Sequence, residues 1–467
     1  MSNLAPLARL DAIAQADLIA RRELSPDEAF DACIARIDAL NPLLRAVVTV
    51  VRGRPAPPGS GPFSGVPFLV KDASPWPGLR WSMGARLFAN NIAPAHTPYG
   101  QRLADAGLVC AGKTATSEMG LLGSTETLLE GITHNPWRLS SSAAGSSGGS
   151  AVAVAAGLVP IAHANDGGGS IRIPASVCGL FGFKPSKGRT VPGAFASSDF
   201  LDMTSDHCIS RSVRDSALFL SITEDTTGGK PVGFVRDPSA RRLRIAAYTT
   251  TAMGEEAEPA VRRAFDEAAA LLAELGHVVE PIAAPAFDGP ALAEAFFLVA
   301  GEAIAAVVAS MDSMRGTPVQ HGELEPFTWS LIEAFEAAGP EALSRSRATF
   351  AAAVRSYRDA TRNHDVVLTP TIATTPWPIG HLSPVLSRAE LIGRTARAVG
   401  YTPIHNIAGC PGMSVPLCFP EGGLPIGTHL AAAAGEDATL LALAYELEAA
   451  RPWKDRWPLY SIPRLFG

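Results

Sequence analysis

Three short stretches of this chain carry residue types that together could cleave an acyl bond. Lys71 follows the apolar run Val66-Pro67-Phe68-Leu69-Val70. Ser146 sits in a serine- and glycine-rich patch over residues 140–150, and Ser170 closes the run Asp166-Gly167-Gly168-Gly169-Ser170. A serine hydroxyl is a weak nucleophile until a base takes its proton. A lysine can be that base only when burial or nearby cations bring its pKa toward neutrality. The apolar run before Lys71 suits burial, whereas Asp72 beside it could keep the ammonium charged. A second serine can relay the proton where the lysine does not reach the nucleophile. Gly167, Gly168 and Gly169 leave their N–H groups uncrowded by side chains and able to face a developing oxyanion, each donor being worth about 3 kcal/mol. That chemistry is acyl transfer without histidine.

Other readings of the same residues compete. Glycine–serine tracts are common in slack linkers. Here, however, the apolar residues 151–162 follow one loop directly, and Ile171, Ile173 and Pro174 follow the other, so both read as positioned backbone. No Gly-Lys-Ser/Thr ending follows Gly145 and no GxGxxG run is present, which argues against nucleotide binding. The run Gly145-Ser146-Ser147-Gly148-Gly149 does match GxSxG, with Ser147 as nucleophile and Asp365 and His405 to complete an esterase triad. That motif needs a strand immediately before the serine, and residues 139–144 (Leu-Ser-Ser-Ser-Ala-Ala) lack strand character. It stays as the alternative, beside a binding or assembly subunit that no longer turns over. His163, His405 and His429 lie in apolar stretches, where satisfied core residues are the commoner outcome.

The elements that must hold these residues can be read from pattern. Ser25-Pro26-Asp27-Glu28 is a capping box with proline at the first helical position. Apolar residues from Ala29 to Leu40 then recur at helical spacing, with Asn41-Pro42 as the expected stop. Strands are expected at 46–51, 66–70 (delivering Lys71), 108–113 and 365–368, the last ended by Thr369-Pro370. The Pro/Gly-rich 53–65 reads as loop. Helices are expected at 99–106, 151–156 and 258–275, and Gly422-Gly423 joins strands 413–417 and 426–430 as a hairpin. Strand and helix interleave to the end, so the fold class is α/β around a central sheet, in one domain over 1–467.

Composition narrows the function classes. The chain has 467 residues, 47% hydrophobic and 18% charged, which describes an ordinary globular protein with a large core. Its net charge of -6 argues against a dedicated nucleic-acid binder. No signal-peptide pattern opens the chain, and no uninterrupted apolar run reaches the roughly 18 residues of a membrane span. The six cysteines (Cys33, Cys110, Cys178, Cys208, Cys410 and Cys418) show no zinc-like spacing and read as reduced thiols. The expectation is a cytoplasmic protein without metal or cofactor.

Residues 144–185, AGSSGGSAVAVAAGLVPIAHANDGGGSIRIPASVCGLFGFKP, resemble the core of the amidase signature family. The likeness extends to GVPFLVKD (65–72), AGKTATSEMG (111–120), Asn135-Pro136-Trp137, Leu368-Thr369-Pro370-Thr371 and the block 406–430, and so covers nearly the whole chain. It implies an αβα sandwich on a large mixed sheet, with a catalytic core over about 65–215 and a substrate-shaping region over about 240–365. It further implies Lys71 as general base, Ser146 as bridging serine in a cis peptide bond, and Ser170 as the nucleophile that is acylated. The N–H groups of Gly167, Gly168, Gly169 and Ser170 carry over as the oxyanion hole, with Asp166 and Arg172 as its support. Lys71 to Ser146 spans 75 residues and Ser146 to Ser170 spans 24, spacings that fit the family.

Two departures stand out: Ala164-Asn165-Asp166-Gly167 replaces Gly-Thr-Asp-Thr, and His429 stands where glutamine is common. The change to Gly167 is expected to widen the substrate side of the loop. The Ala-His-Ala-Asn-Asp and Arg-Ile-Pro-Ala-Ser-Val-Cys runs are most similar to hydrolases of nylon-type cyclic amide dimers. The pattern also fits members that cleave aryl amides or carbamates, with esterase or urethanase side activity. It is less similar to amidotransferase subunits, which carry glutamine in place of Ile173. Met119, Leu121 and Leu122, and an apolar wall of Phe296, Phe297, Phe327, Trp329 and Leu331, point to a small, neutral, apolar amide. The partner expected is that substrate, with no nucleic acid and no membrane, and a homodimer is compatible with the sequence.

Overall fold

A computed structural model describes residues 4–53, 59–194, 198–228 and 231–467. Part of the expected 53–65 loop, and residues 195–197 of the expected catalytic core, lie outside that description. Thirteen strands occur among the described residues. In chain order they are β1 (Val47–Val50), β2 (Pro67–Lys71), β3 (Val109–Thr114), β4 (Glu126–Thr127), β5 (Gly131–Ile132), β6 (Ile161–Asp166) and β7 (Phe181–Lys184). They continue with β8 (Ser205–Ser210), β9 (Arg244–Ala247), β10 (Val278–Pro281), β11 (Val366–Pro370), β12 (Gly412–Cys418) and β13 (Ile426–Ala432). Apart from the β4–β5 hairpin they form one sheet in the order β1-β3-β2-β6-β8-β7-β12-β13-β11-β9-β10. Pairing is mixed: β3, β2 and β6 run parallel, as do β11, β9 and β10, with antiparallel pairs between.

Because strand side chains alternate, neighbouring residues serve opposite faces. In β2, Leu69 joins a cluster with Val152 of the helix Gly148–Ala155, while Phe68 and Val70 join Tyr99 and Phe219 on the other side. In β11, Val366 and Leu368 pack with Leu440 and Leu447 of the helix Asp437–Ala450, and Val367 packs with Tyr357 of the helix Ala342–Thr361. Both faces are therefore covered by helices, as an αβα sandwich requires.

Three boundaries differ from expectation. The Ser25–Glu28 capping box forms, but the helix Pro26–Leu44 runs on through Pro42. A proline that close to the end forfeits only its own N–H bond, and continuing one more turn buries Leu44. β11 likewise includes Thr369 and Pro370, which face His429 and Thr428 of β13 in the register. The helix Gly289–Arg315, with mean hydropathy of 2.0 over an 18-residue window, is long and apolar enough to cross a membrane by composition. Its length escapes a count of uninterrupted apolar residues because Glu294 and Glu302 punctuate it. Here it packs against the helices Pro326–Ala337 and Ala342–Thr361 and turns apolar side chains toward an internal cavity.

Candidate active site

β2 and β6 are parallel neighbours, paired at Leu69 and Ala162, so their C-terminal ends lie at the same sheet edge. The sequence places Lys71 at the end of one and the Asp166–Ser170 loop at the end of the other. The loop before the helix Gly148–Ala155 brings Ser146 to Lys71, through a cis Gly145–Ser146 peptide. Lys71 Nζ lies 2.7 Å from Ser146 Oγ and donates to Asn165 Oδ1 at 2.6 Å. Both Lys71 and Ser146 are buried. Ser147 Oγ donates to the Asn165 carbonyl at 3.2 Å and so ties the serine loop to the glycine loop.

Burial dominates the electrostatics of Lys71. It pulls the ammonium pKa down to about 7, against the opposing charges of Asp206 and Asp166. Asp72 does not undo this. Its carboxylate is taken up by Ser82 and by an ion pair with Lys113 Nζ at 3.3 Å.

The Gly167–Ser170 turn is held from behind. Burial disfavours the charge of Asp166, but Arg172, with help from Lys184 and the Ile171 N–H, outweighs it and holds the carboxyl well below the usual carboxylate range. Arg172 Nη2 lies 2.9 Å from Asp166 Oδ1, and both side chains are wholly buried. Arg172 Nε donates to Asp166 Oδ2 at 2.9 Å, and its other donors go to the Thr402 carbonyl at 3.1 Å, Asn406 Oδ1 at 2.6 Å and His429 Nε2 at 3.1 Å. Asn406 Nδ2 returns to the Asp166 carbonyl at 2.8 Å, and Thr402 Oγ1 donates to the Gly168 carbonyl at 2.6 Å. Asp166 Oδ1 accepts the Gly169 N–H at 2.6 Å. Of the four N–H groups expected to face an oxyanion, that of Gly169 is therefore committed to the scaffold. Those of Gly167, Gly168 and Ser170 have no protein acceptor among the described residues.

Gly169 has φ +135°, and a Cβ there would come within 2.4 Å of Thr402 Oγ1 and 2.5 Å of Ile173 Cδ1. Only glycine fits. At Gly167 a Cβ would stand 3.0 Å from Thr204 Oγ1 and 4.0 Å from Phe200 Cζ.

Ser170, Gly167 and Gly168 open onto a cavity of about 110 Å³. One wall comes from Leu121, Leu122 and Ile173, the other from Leu292, Phe296 and Phe297 of the helix Gly289–Arg315. Phe200, Phe296, Phe297 and Phe327 form a chain of edge-on rings with centroids 5.6–5.8 Å apart. The expected wall is thus present in part. Phe327 and Leu331 stand behind it, Trp329 instead donates to the His321 carbonyl, and Met119 packs into the core rather than lining the cavity.

The alternative triad does not assemble. Ser147 is buried with its hydroxyl on Asn165, and His405 Nε2 pairs with the Tyr357 hydroxyl at 3.1 Å. Asp365 accepts from Arg241 and, at 2.8 Å, from the Arg244 N–H. Burial and surrounding cations keep His405 well below its ordinary pKa; burial, His405 and Arg172 do the same for His429. His163 pairs with Asp206 at 3.1 Å. Sequence reasoning missed the contacts of Asn165, Thr402 and Asn406. Asn165 was visible only as a departure from the Gly-Thr-Asp pattern. The other two lie 230 and 234 residues from Arg172, with no local signal.

A family profile described as Amidase matches residues 28–441. The chain is 33% identical over 486 residues to the 6-aminohexanoate-cyclic-dimer hydrolase of Paenarthrobacter ureafaciens, covering 97% of each. It is 31% identical to an acylamidase of Rhodococcus erythropolis, covering 97% of this chain and 98% of that one. Among solved structures, that of a 6-aminohexanoate cyclic dimer hydrolase superposes with a TM-score of 0.89 at 30% identity, covering 97% of this chain and 99% of the other.

Proposed function

The chain belongs to the amidase signature family and is an amide-cleaving hydrolase; from that premise we propose that it works through a Lys71–Ser146–Ser170 relay with Ser170 as the acylated nucleophile. Neutral Lys71 accepts a proton from Ser146 as Ser146 accepts one from Ser170, whose Oγ attacks the amide carbonyl. The tetrahedral oxyanion is held by the N–H groups of Gly167, Gly168 and Ser170. The proton returns through the same relay to the departing amine, and water then hydrolyses the acyl-enzyme. Asn165 holds Lys71 while contributing no charge. Asp166 and Arg172 act as positioning residues behind the loop. The observation that carries this reading is the buried Lys71, brought to a pKa of about 7 and placed 2.7 Å from Ser146 Oγ.

Among the described residues the cavity lining contains no acid and no base, so a charged substrate group would lose its water there without a counter-ion. The substrate is therefore a small, neutral, largely apolar amide, cyclic or linear, with carbamates and esters of similar shape as side substrates. A single domain is supported by one sheet that joins strands from Val47 to Ala432. Six cysteines without a disulfide suit the reducing cytoplasm, and a homodimer fits this scheme as well as a monomer.

The test is turnover of neutral apolar anilides against the same anilides carrying a terminal carboxylate. Hydrolysis of the neutral set, abolished in Ser170→Ala, is expected. Unchanged turnover in that variant, or a preference for the charged set, would contradict the reading.

A further inference from the structure

Among the described residues, the side chains that line the cavity beginning at Ser170 are apolar except for those of Ser170, Tyr248 and Thr395. Tyr248 follows β9, which five strands separate from β6 in the sheet, so it enters the cavity from a different part of the fold than Ser170. Its side chain is only 7% exposed. The three tyrosines at 357, 401 and 445 bond His405, the Thr249 carbonyl and the Val235 carbonyl respectively. The Tyr248 hydroxyl has no hydrogen-bond partner among the described residues, and burial alone pushes it above its ordinary pKa, so it stays protonated and able to donate. Thr395, on the helix Arg388–Ala398, also lines the cavity, but its Oγ1 is sealed within the wall.

A tyrosine hydroxyl at a cavity wall with no protein partner is left to a ligand, and a phenylalanine would line the same wall without offering that donor. We propose that Tyr248 is a specificity-determining residue whose hydroxyl hydrogen-bonds a neutral oxygen, a second carbonyl, on the arm of the substrate that enters the cavity away from the scissile amide. Among the described residues the lining has no acid and no base, which restricts that oxygen to a neutral group. An amide, ketone or carbamate carbonyl fits, whereas a free carboxylate would be stripped of water with no cation to meet it. The substrate class thereby narrows from any apolar amide to neutral amides bearing a second hydrogen-bonding carbonyl.

This inference rests on the proposed amidase reading for its scissile bond, so its test is separated from turnover. Equilibrium binding is measured on Ser170→Ala, with and without Tyr248→Phe. The probes are an N-alkyl fatty amide and a series in which one methylene is replaced by a ketone, moved stepwise along either arm. At one ketone position the ketone-bearing amide is expected to bind more tightly than the plain one. Tyr248→Phe is expected to reduce that preference by about tenfold. Each comparison is internal to one variant, so a general loss of fold or affinity cancels. No preferred position on either arm, or a preference unchanged by Tyr248→Phe, would overturn the proposal. Failure of the amidase reading would show separately, as absence of turnover in the enzyme that retains Ser170.

Discussion

Asn165 Oδ1 accepts a hydrogen bond from Lys71 Nζ at 2.6 Å, on the side of the amine left free by Ser146 Oγ at 2.7 Å. A side-chain amide can hold an amine in this way without adding charge, so Lys71 is fixed in direction yet free to lose its proton. No carboxylate forms an ion pair with Nζ among the described residues. Asp72, the adjacent candidate, is turned away to Ser82 and Lys113.

A pH dependence follows from the burial of Lys71. The proposed relay needs the neutral amine, and the pKa is brought down to about 7. kcat/KM should therefore rise with pH through an apparent pKa of about 7 and level off above it. A profile that is flat from about pH 5 to 9, or that falls across that range, would show that Lys71 is not the base.

Asn165→Asp tests the same contact from the other side. A carboxylate at this position stabilises the ammonium, raises the Lys71 pKa, and moves the acid limb of kcat/KM to higher pH. The measurement is the displacement of that limb between the two proteins. An unmoved limb, with only a uniform fall in rate, would reduce Asn165 to a packing residue.

Gly169→Ala places a Cβ against Thr402 Oγ1 and Ile173 in a backbone region that alanine avoids. Relief of that clash must shift the turn carrying Gly168 and Ser170. kcat should fall by about 100-fold, as expected for a displacement on the order of 1 Å at the reacting centre. Steady-state kinetics on a neutral anilide reads this directly, and retention of kcat within about twofold would contradict it.

Arg172→Met removes one partner of a wholly buried pair and leaves Asp166 charged without its cation. The expected loss is about 3–5 kcal/mol of stability, read by chemical denaturation. Stability unchanged by this substitution would mean that Asn406 and the local N–H groups suffice to hold Asp166.

Chemistry confined to a few neighbouring residues was legible in the sequence, and chemistry assembled across the chain was not. The apolar run before Lys71 predicted both its strand and its burial, and the triple glycine marked the turn before Ser170. The α/β class followed from the interleaving of strand and helix patterns, and the helix-covered sheet from the family resemblance. What escaped was long-range. Thr402 and Asn406 brace the glycine loop from a segment whose sequence signals nothing about Asp166. The commitment of Gly169 N–H to Asp166 depends on how one side chain folds back over three residues, and that is a matter of packing rather than pattern.

The central claim, that Ser170 is the nucleophile and Lys71 activates it, is tested most directly by covalent labelling with a fluorophosphonate followed by intact mass and peptide mapping. The account predicts one adduct, on Ser170, formed far more slowly in Lys71→Ala. An adduct on Ser147, or labelling of Ser170 at an undiminished rate without Lys71, would contradict it.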